Sequence, residues 1–150
     1  MPFEAKKAKE RLLEWIDKTH TSLDIAIYSF TNRQIAKRVK NAAKRGVKVR
    51  IVTDYDQIKQ KYSQIGYLAK YRNIKIYLLK GKYAKKGEYY GKMHMKLAIF
   101  DNKRLTTGSA NWTNSAFRRN YETICFMEEY AKAKKAKKYF EVMVREAQEY

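Results

Sequence analysis

The chain has 150 residues, which suits one domain, and its composition (45% hydrophobic, one proline, six glycines) excludes disordered and collagen-like classes. Lys and Arg number 34 against 15 acidic residues, for a net charge of +19. An excess of that size repels itself in the compact state and points to a densely negative partner: nucleic acid first, an anionic membrane surface as the rival, and a Lys-rich solvated surface as the plain alternative.

In chain order, residues 4–18 show helical periodicity, with Ala8, Leu12, Trp15 and Ile16 recurring among Lys, Arg and Glu. No signal peptide precedes this charged segment. That suggests a cytoplasmic protein as the chain stands, or a periplasmic or secreted one if a leader was removed. Residues 19–22 break the helix, and His20 reads as a solvated loop residue. Leu23 to Tyr28 places apolar residues at alternate positions, as a strand does. Thr31 is the expected N-cap of a second helix over about 32–45, with Ile35, Ala36, Val39, Ala42 and Ala43 on one face. Gly46 stands where a helix C-terminal glycine belongs. Residues 47–53 read as a second strand. Asp54 then either ends it on the ligand-binding side of the sheet or starts a turn. The stretch 57–72 is ambiguous, a helix interrupted at Gly66 being one reading. Ile74 to Leu79 is a third strand.

This strand–helix alternation implies parallel crossovers with helices packed on a sheet. The pattern then changes. Residues 80–92 read as a basic loop containing Tyr and Gly. Residues 93–100 and 104–107 read as strands, 113–118 as a helical turn and 121–127 as another strand. Cys125 lies in that last apolar run and reads as an inert buried thiol. A closing helix over 130–148 turns Ala133, Ala136, Phe140, Val144 and Ala147 inward and its Lys-rich run, 132–138, outward. The fold class is therefore α/β, a mixed β-sheet flanked by helices. One cysteine excludes an intrachain disulfide, and one Cys with two His is too few for a four-ligand structural zinc site. No apolar stretch reaches the ~20 residues that span a bilayer, so no stable membrane insertion is expected.

The segment from His94 to Asn111 carries the chemistry. His94 and Lys96 are two apart, so on a strand they share one face, while Met95, Leu97 and Ile99 fall on the other. A strand that only packs has no use for an imidazole beside an ammonium. Gly108 lets backbone come close to an anion, and Ser109 and Asn111 bring side-chain donors. Together these groups suit a tetrahedral phosphate. The basic run Lys82, Lys85 and Lys86 precedes His94. It reads equally as a phosphate groove with tyrosines stacking on bases or as a solvated loop.

The spacing His-x-Lys-x4-Asp-x6-Gly-Ser-x-Asn, set by His94, Lys96, Asp101, Gly108, Ser109 and Asn111, resembles the signature of the phospholipase D superfamily. Six fixed residues at ~5% frequency each would recur by chance in a chain this long with odds on the order of one in a million. The resemblance extends over roughly residues 10–148. Tyr28-Ser29-Phe30-Thr31, Arg45-Gly46-Val47 and Asn120-x-Glu122 all look like the small bacterial members with one motif per chain, which include a nonspecific endonuclease that tolerates chelators. In one respect the chain departs from them. Small members usually carry a strand before the first helix, so an edge strand is expected to be missing or cropped here.

The resemblance implies a two-step displacement through a phosphohistidine, with two motifs paired across a twofold axis. One motif per chain then implies a homodimer whose two His94 residues meet. It further implies that Lys96, Ser109 and Asn111 hold the nonbridging oxygens, that Glu122 orients His94, and that Asp101 is structural at its strand end. Lys96 supplies fixed positive charge, so no metal or other cofactor is expected. Asn111-Trp112-Thr113 also matches a glycosylation sequon, over which the motif takes precedence. The leading function is a nonspecific endonuclease on DNA or RNA. A phospholipid phosphodiesterase or phosphatidyl transferase of the cardiolipin type is the alternative, and a non-catalytic nucleic-acid-binding module the third reading.

Overall fold

The first helix, α1 (Ala5–Asp17), buries Leu12, Trp15 and Ile16, as its periodicity predicts, and Ala5 and Leu13 besides, while Ala8 is only partly buried. The structure is a computed structural model and describes residues 2–150. Strand β1 (Ser22–Ile27) follows and is buried from Leu23 onward. Helix α2 (Arg33–Lys44) turns Ile35, Ala36, Val39, Ala42 and Ala43 inward. Its cap is Asn32 rather than Thr31: the Asn32 side chain accepts the Ile35 N–H at 2.9 Å, satisfying one of the helix's orphan donors. Gly46 ends the helix at φ +102°, a conformation that favours glycine.

Strand β2 (Lys48–Asp54) then leads into the ambiguous stretch. It resolves into a 3-10 turn (Gln57–Lys59) and a one-turn helix, α3 (Ile65–Leu68). Strand β3 (Ile74–Ala84) is longer than the apolar run Ile74 to Leu79, and β4 (Tyr89–Lys92) folds back on it. The basic loop expected over 80–92 is therefore a β-hairpin. Lys, Gly and Tyr concealed it because neither strand buries a face there, so no two-residue hydrophobic period exists. Strands β5 (Lys96–Phe100), β6 (Arg104–Gly108) and β7 (Ile124–Met127) are antiparallel neighbours, as expected. Cys125 on β7 is exposed, because β7 lies at the sheet's edge and only its alternate residues face inward. Helix α4 (Tyr130–Glu146) closes the fold, and Gln148–Glu149 returns as a short strand, β8, paired with Tyr77 and Leu78 of β3.

The strands form one mixed sheet in the order β4-β3-β2-β1-β5-β6-β7, with β8 beside β3. Strands β1, β2 and β3 run parallel, and β5 runs antiparallel to β1. One face packs on α1, α2 and α3, where Leu12, Ile16, Leu23, Ile25, Ile27, Val39, Ile51 and Phe100 meet. The other packs on α4, where Ala133 and Phe140 meet Ala26, Val52, Leu97 and Ile99. Burial on both faces explains why β1 is buried from Leu23 to Ile27 and β2 from Ile51 to Asp54.

An ion network joins α4 to the sheet. Asp24 of β1, 1% exposed, accepts from Arg50 Nε at 2.8 Å and pairs with Lys137. Arg50 also bonds both Glu141 oxygens, at 2.6 and 3.2 Å. Lys137 thus points inward, out of the Lys-rich run expected to face solvent. Buried charge on β1 gives it a partner that no periodicity reveals.

Candidate active site

Register determines what meets at the sheet's edge. Ile27 pairs with Lys96, Leu97 with Thr107, and Gly108 with Ile124. The carboxyl ends of the parallel strands β1 and β2 therefore share an edge with the start of β5, the end of β6 and the start of β7. Of the six signature residues, His94, Lys96, Gly108, Ser109 and Asn111 lie at that edge. Asp101 follows the far end of β5, about 17 Å of strand away.

His94 precedes β5 rather than lying on it, on a three-residue link between β4 and β5. Met95 on the same link is 41% exposed and does not join Leu97 and Ile99 on the apolar face. The link is nonetheless held at every residue. The Met93 N–H donates to Asp54 Oδ2 at 2.9 Å. The His94 carbonyl accepts from Lys96 Nζ at 2.7 Å. The Met95 carbonyl accepts from the Tyr28 N–H at 3.1 Å. An imidazole that must stay in a reactive geometry needs such fixing.

The His94 ring is exposed, and the Lys96 ammonium lies 2.9 Å from its Nδ1 and 3.3 Å from its Nε2. An ammonium only donates, so a ring nitrogen that bonds it must carry a lone pair. Tyr28 packs against the imidazole, ring centroids 4.7 Å apart, and its hydroxyl accepts from Gln57 Nε2 at 3.0 Å and Lys92 Nζ at 3.3 Å. Burial pushes the Lys96 ammonium below the usual lysine range, and the Glu122 carboxylate opposes that shift. The hydrogen bond to Tyr28 pushes Lys92 the other way, upward.

Asn111 turns its Oδ1 to the Ser29 N–H, 3.1 Å away, which leaves its amide N–H donors without a partner among the described residues. The backbone beside it is tied to the β1–α2 connection, since the Trp112 carbonyl accepts from Thr31 and Asn32 and the Trp112 N–H donates to Ser29. Ser109 behaves differently from the expectation. Its hydroxyl donates to Glu122 Oε2 at 2.8 Å and accepts the Thr123 N–H at 3.0 Å. A hydroxyl has one proton, and here Glu122 takes it. Within the chain, then, Glu122 and Ser109 hold each other, whereas the resemblance implies Glu122 against His94 and Ser109 against phosphate. Gly108 serves packing: a Cβ there would stand 2.3 Å from the Thr123 carbonyl oxygen, and φ is +153°. Its bareness admits the close approach of Thr123 and Ile124.

Asp101 accepts the N–H groups of His20, Thr21 and Ser22 and the Thr21 hydroxyl, at 2.7 to 3.2 Å. Burial alone would raise its carboxyl, but these donors outweigh burial and hold it below the usual range. It fastens the turn into β1. Lys82 reaches the site, since it lines one cleft with Lys80, Gly81, Lys92, Met93 and His94. Lys85 and Lys86 stand further out, in the hairpin turn. Among the described residues, no three His, Cys, Asp or Glu side chains converge to hold a metal ion.

The residue that sequence reasoning left open is Asp54. It is 2% exposed, and its two oxygens accept from Met93 and Asp56. A carboxylate ending a run as apolar as Val49 to Val52 was the available signal. Tyr28 was visible only as part of the family resemblance, because its role depends on the register of β1 with β5.

A family model described as "Cardiolipin synthase, PLD-like domain" matches residues 12–144. NucT from Helicobacter pylori is similar in structure, with a TM-score of 0.97 and 44% identity over 100% of this chain and 95% of its own. Nuc from Salmonella typhimurium, a phospholipase D family member, has a TM-score of 0.82 at 27% identity, covering 95% of this chain and 90% of its own. A mitochondrial cardiolipin hydrolase from Mus musculus is 34% identical over 125 residues, 83% of this chain and 52% of that protein. This chain thus spans about half the length of that curated relative.

Proposed function

The chain belongs to the phospholipase D superfamily of phosphodiesterases, and we propose that it is a metal-independent endonuclease whose site is completed by a second copy of the chain. The observation that carries the reading is the fixed, solvent-facing His94 with the Lys96 ammonium 2.9 Å from its ring. A nucleophile and a cation so placed suit a phosphodiester.

In this reading an imidazole nitrogen of one His94 attacks phosphorus. A P–N bond forms as the P–O bond to the leaving oxygen breaks. The partner's His94, protonated, gives its proton to that oxygen. The partner's His94, now neutral, then takes a proton from water as the water oxygen attacks phosphorus. The P–N bond breaks, and the products are a phosphomonoester and an alcohol. Lys96 and the free amide donors of Asn111 meet the nonbridging oxygens. Each ring must start in a different protonation state, one neutral to attack and one protonated to donate.

Nucleic acid is favoured as substrate by the +19 charge and by the Lys- and Tyr-bearing hairpin beside His94. The cardiolipin hydrolase relatives support the same chemistry on a phospholipid as the second reading.

The test incubates plasmid DNA, single-stranded DNA, RNA and cardiolipin vesicles with wild type and His94→Ala, all in excess EDTA. Nucleic acid cut by the wild type and untouched by the variant is the expected result. Cleavage of cardiolipin alone would move the assignment to lipid. No cleavage of any substrate by a dimeric sample would leave a binding module.

A further inference from the structure

The β3–β4 hairpin is built in a way that packing does not explain. Residues 80–92 hold five lysines and one acid, Glu88. Lys80 stands directly opposite Lys92 across the two strands, and like charges so placed destabilise a hairpin. Among the described residues no carboxylate pairs with Lys80, Lys82, Lys85 or Lys86. Tyr83 and Tyr90, also opposite one another, leave 50% and 52% of their surface in water, with ring centroids 5.0 Å apart and planes tilted by 55°.

The arrangement is nevertheless fixed. The Lys80 ammonium sits 4.4 Å from the Tyr55 ring centroid and 4.6 Å from that of Tyr90. The register shifts between Lys80 and Tyr83, and a Cβ on Gly81 would fall 2.5 Å from the Gly91 carbonyl carbon. A bulge re-aims the side chains after it, and here those side chains are Lys82 and Tyr83. The hairpin's inner end continues into a cleft of about 380 Å³ that Lys80, Gly81, Lys82 and Lys92 share with His94.

We infer that this hairpin is a base-stacking platform: unpaired nucleobases of the strand flanking the scissile phosphodiester stack on Tyr83 and Tyr90, while Lys80, Lys82 and Lys92 meet the adjoining phosphates. The inference rests on the nuclease reading and narrows it. Exposed aromatic faces interleaved with ammonium groups match an alternation of bases and phosphates. Lipid headgroups offer the phosphates but no flat aromatic partner. In a duplex the base faces are already stacked on each other, so the platform selects single strands.

The test uses full-length wild type, Tyr83→Leu/Tyr90→Leu and Tyr83→Phe/Tyr90→Phe. Three substrates are compared: a single-stranded oligonucleotide, the same sequence as a duplex, and bis(p-nitrophenyl) phosphate, which has no base to stack. Wild type is expected to favour the single strand by about tenfold or more, and the Leu variant to lose about 10- to 100-fold in kcat/KM on it. The Phe variant, which keeps the rings, should stay near wild type. Hydrolysis of the small diester by the Leu variant at the wild-type rate would show an intact fold and place the loss on the oligonucleotide. Equal cleavage of single strand and duplex by wild type, or an unchanged Leu variant, would overturn the platform while leaving the nuclease standing. Hydrolysis of the small diester without any cleavage of nucleic acid would remove both.

Discussion

Lys96 shows how far the site departs from what stability alone would select. Its ammonium is buried and bonded to the ring and carbonyl of His94, and burial holds its pKa below the ordinary 10.5. A base whose folded pKa is depressed binds protons more readily in the unfolded chain, so the charge disfavours folding at every pH below that ordinary value. The cost fades as pH rises through the folded pKa. Lys96→Met keeps the length of the side chain and removes the charge. It should gain about 1 kcal/mol of stability at neutral pH, as apolar replacements of buried ionic groups can. It should lose about 10²- to 10³-fold in kcat, the usual effect of removing one transition-state donor. Thermal melts from pH 6 to 10 should show the gain shrinking toward the alkaline end. A variant less stable than wild type at pH 7 would mean that Lys96 holds the fold.

At the scale of elements, α4 is fastened by charge as much as by apolar contact, since only Ala133 and Phe140 on it are fully buried. Asp24→Ala leaves Arg50 with Glu141 alone and Lys137 with a carboxylate 4.0 Å away. Urea unfolding should report a loss of about 3–5 kcal/mol, the range for breaking a buried ion network from one side. Lys132→Ala, which removes an exposed pair with Glu129, should change stability by less than about 0.5 kcal/mol. Equal losses in the two variants would remove the network from the account. The bonds from Arg50 hold the Glu141 carboxyl below its usual 4.5. Its contribution is therefore present above that value and lost as pH falls through the folded one. Elements differ sharply in how much the sequence tells of them. The parallel half was readable because β1 and α2 carry apolar residues at strand and helix spacing and Gly46 ends α2, although the cap proved to be Asn32 rather than Thr31. The β3–β4 hairpin was not, because it pairs backbone without burying a face. The inward turn of Lys137 was hidden for a related reason, since its partner Asp24 is 113 residues away. At the candidate site, His94, Lys96 and Asn111 were singled out through the family signature, and the register brings them to one edge of the sheet. The holding of the His94 link by Asp54 and Tyr28 was not legible, because both contacts arise from strand register.

For the whole molecule, the issue is how one motif per chain would perform the proposed displacement, which needs two histidines in different protonation states. In the proposed reading a cyclic dimer would solve it, because an isologous contact places equivalent residues together at the axis. Two chains of +19 must then approach each other, an association that repulsion opposes at low salt and that a polyanion on the basic surface relieves. A site shared in this way has a stoichiometric signature. When wild type and His94→Ala are co-refolded in equal amounts, random pairing leaves about a quarter of the dimers with both histidines. Activity per total protein should therefore fall with the square of the wild-type fraction, to about a quarter at equal mixing. Independent sites, each complete within one chain, would fall linearly, to about a half. Mixed dimers carrying one His94 should also trap nothing that turns over, since the step that releases the leaving oxygen lacks its proton donor. Titrating the variant from zero to tenfold excess separates the curves. A linear decline in a sample shown by light scattering to be dimeric would require each chain to find its second proton carrier within itself, and His20 does not qualify because it lies by Asp101 at the opposite edge of the sheet.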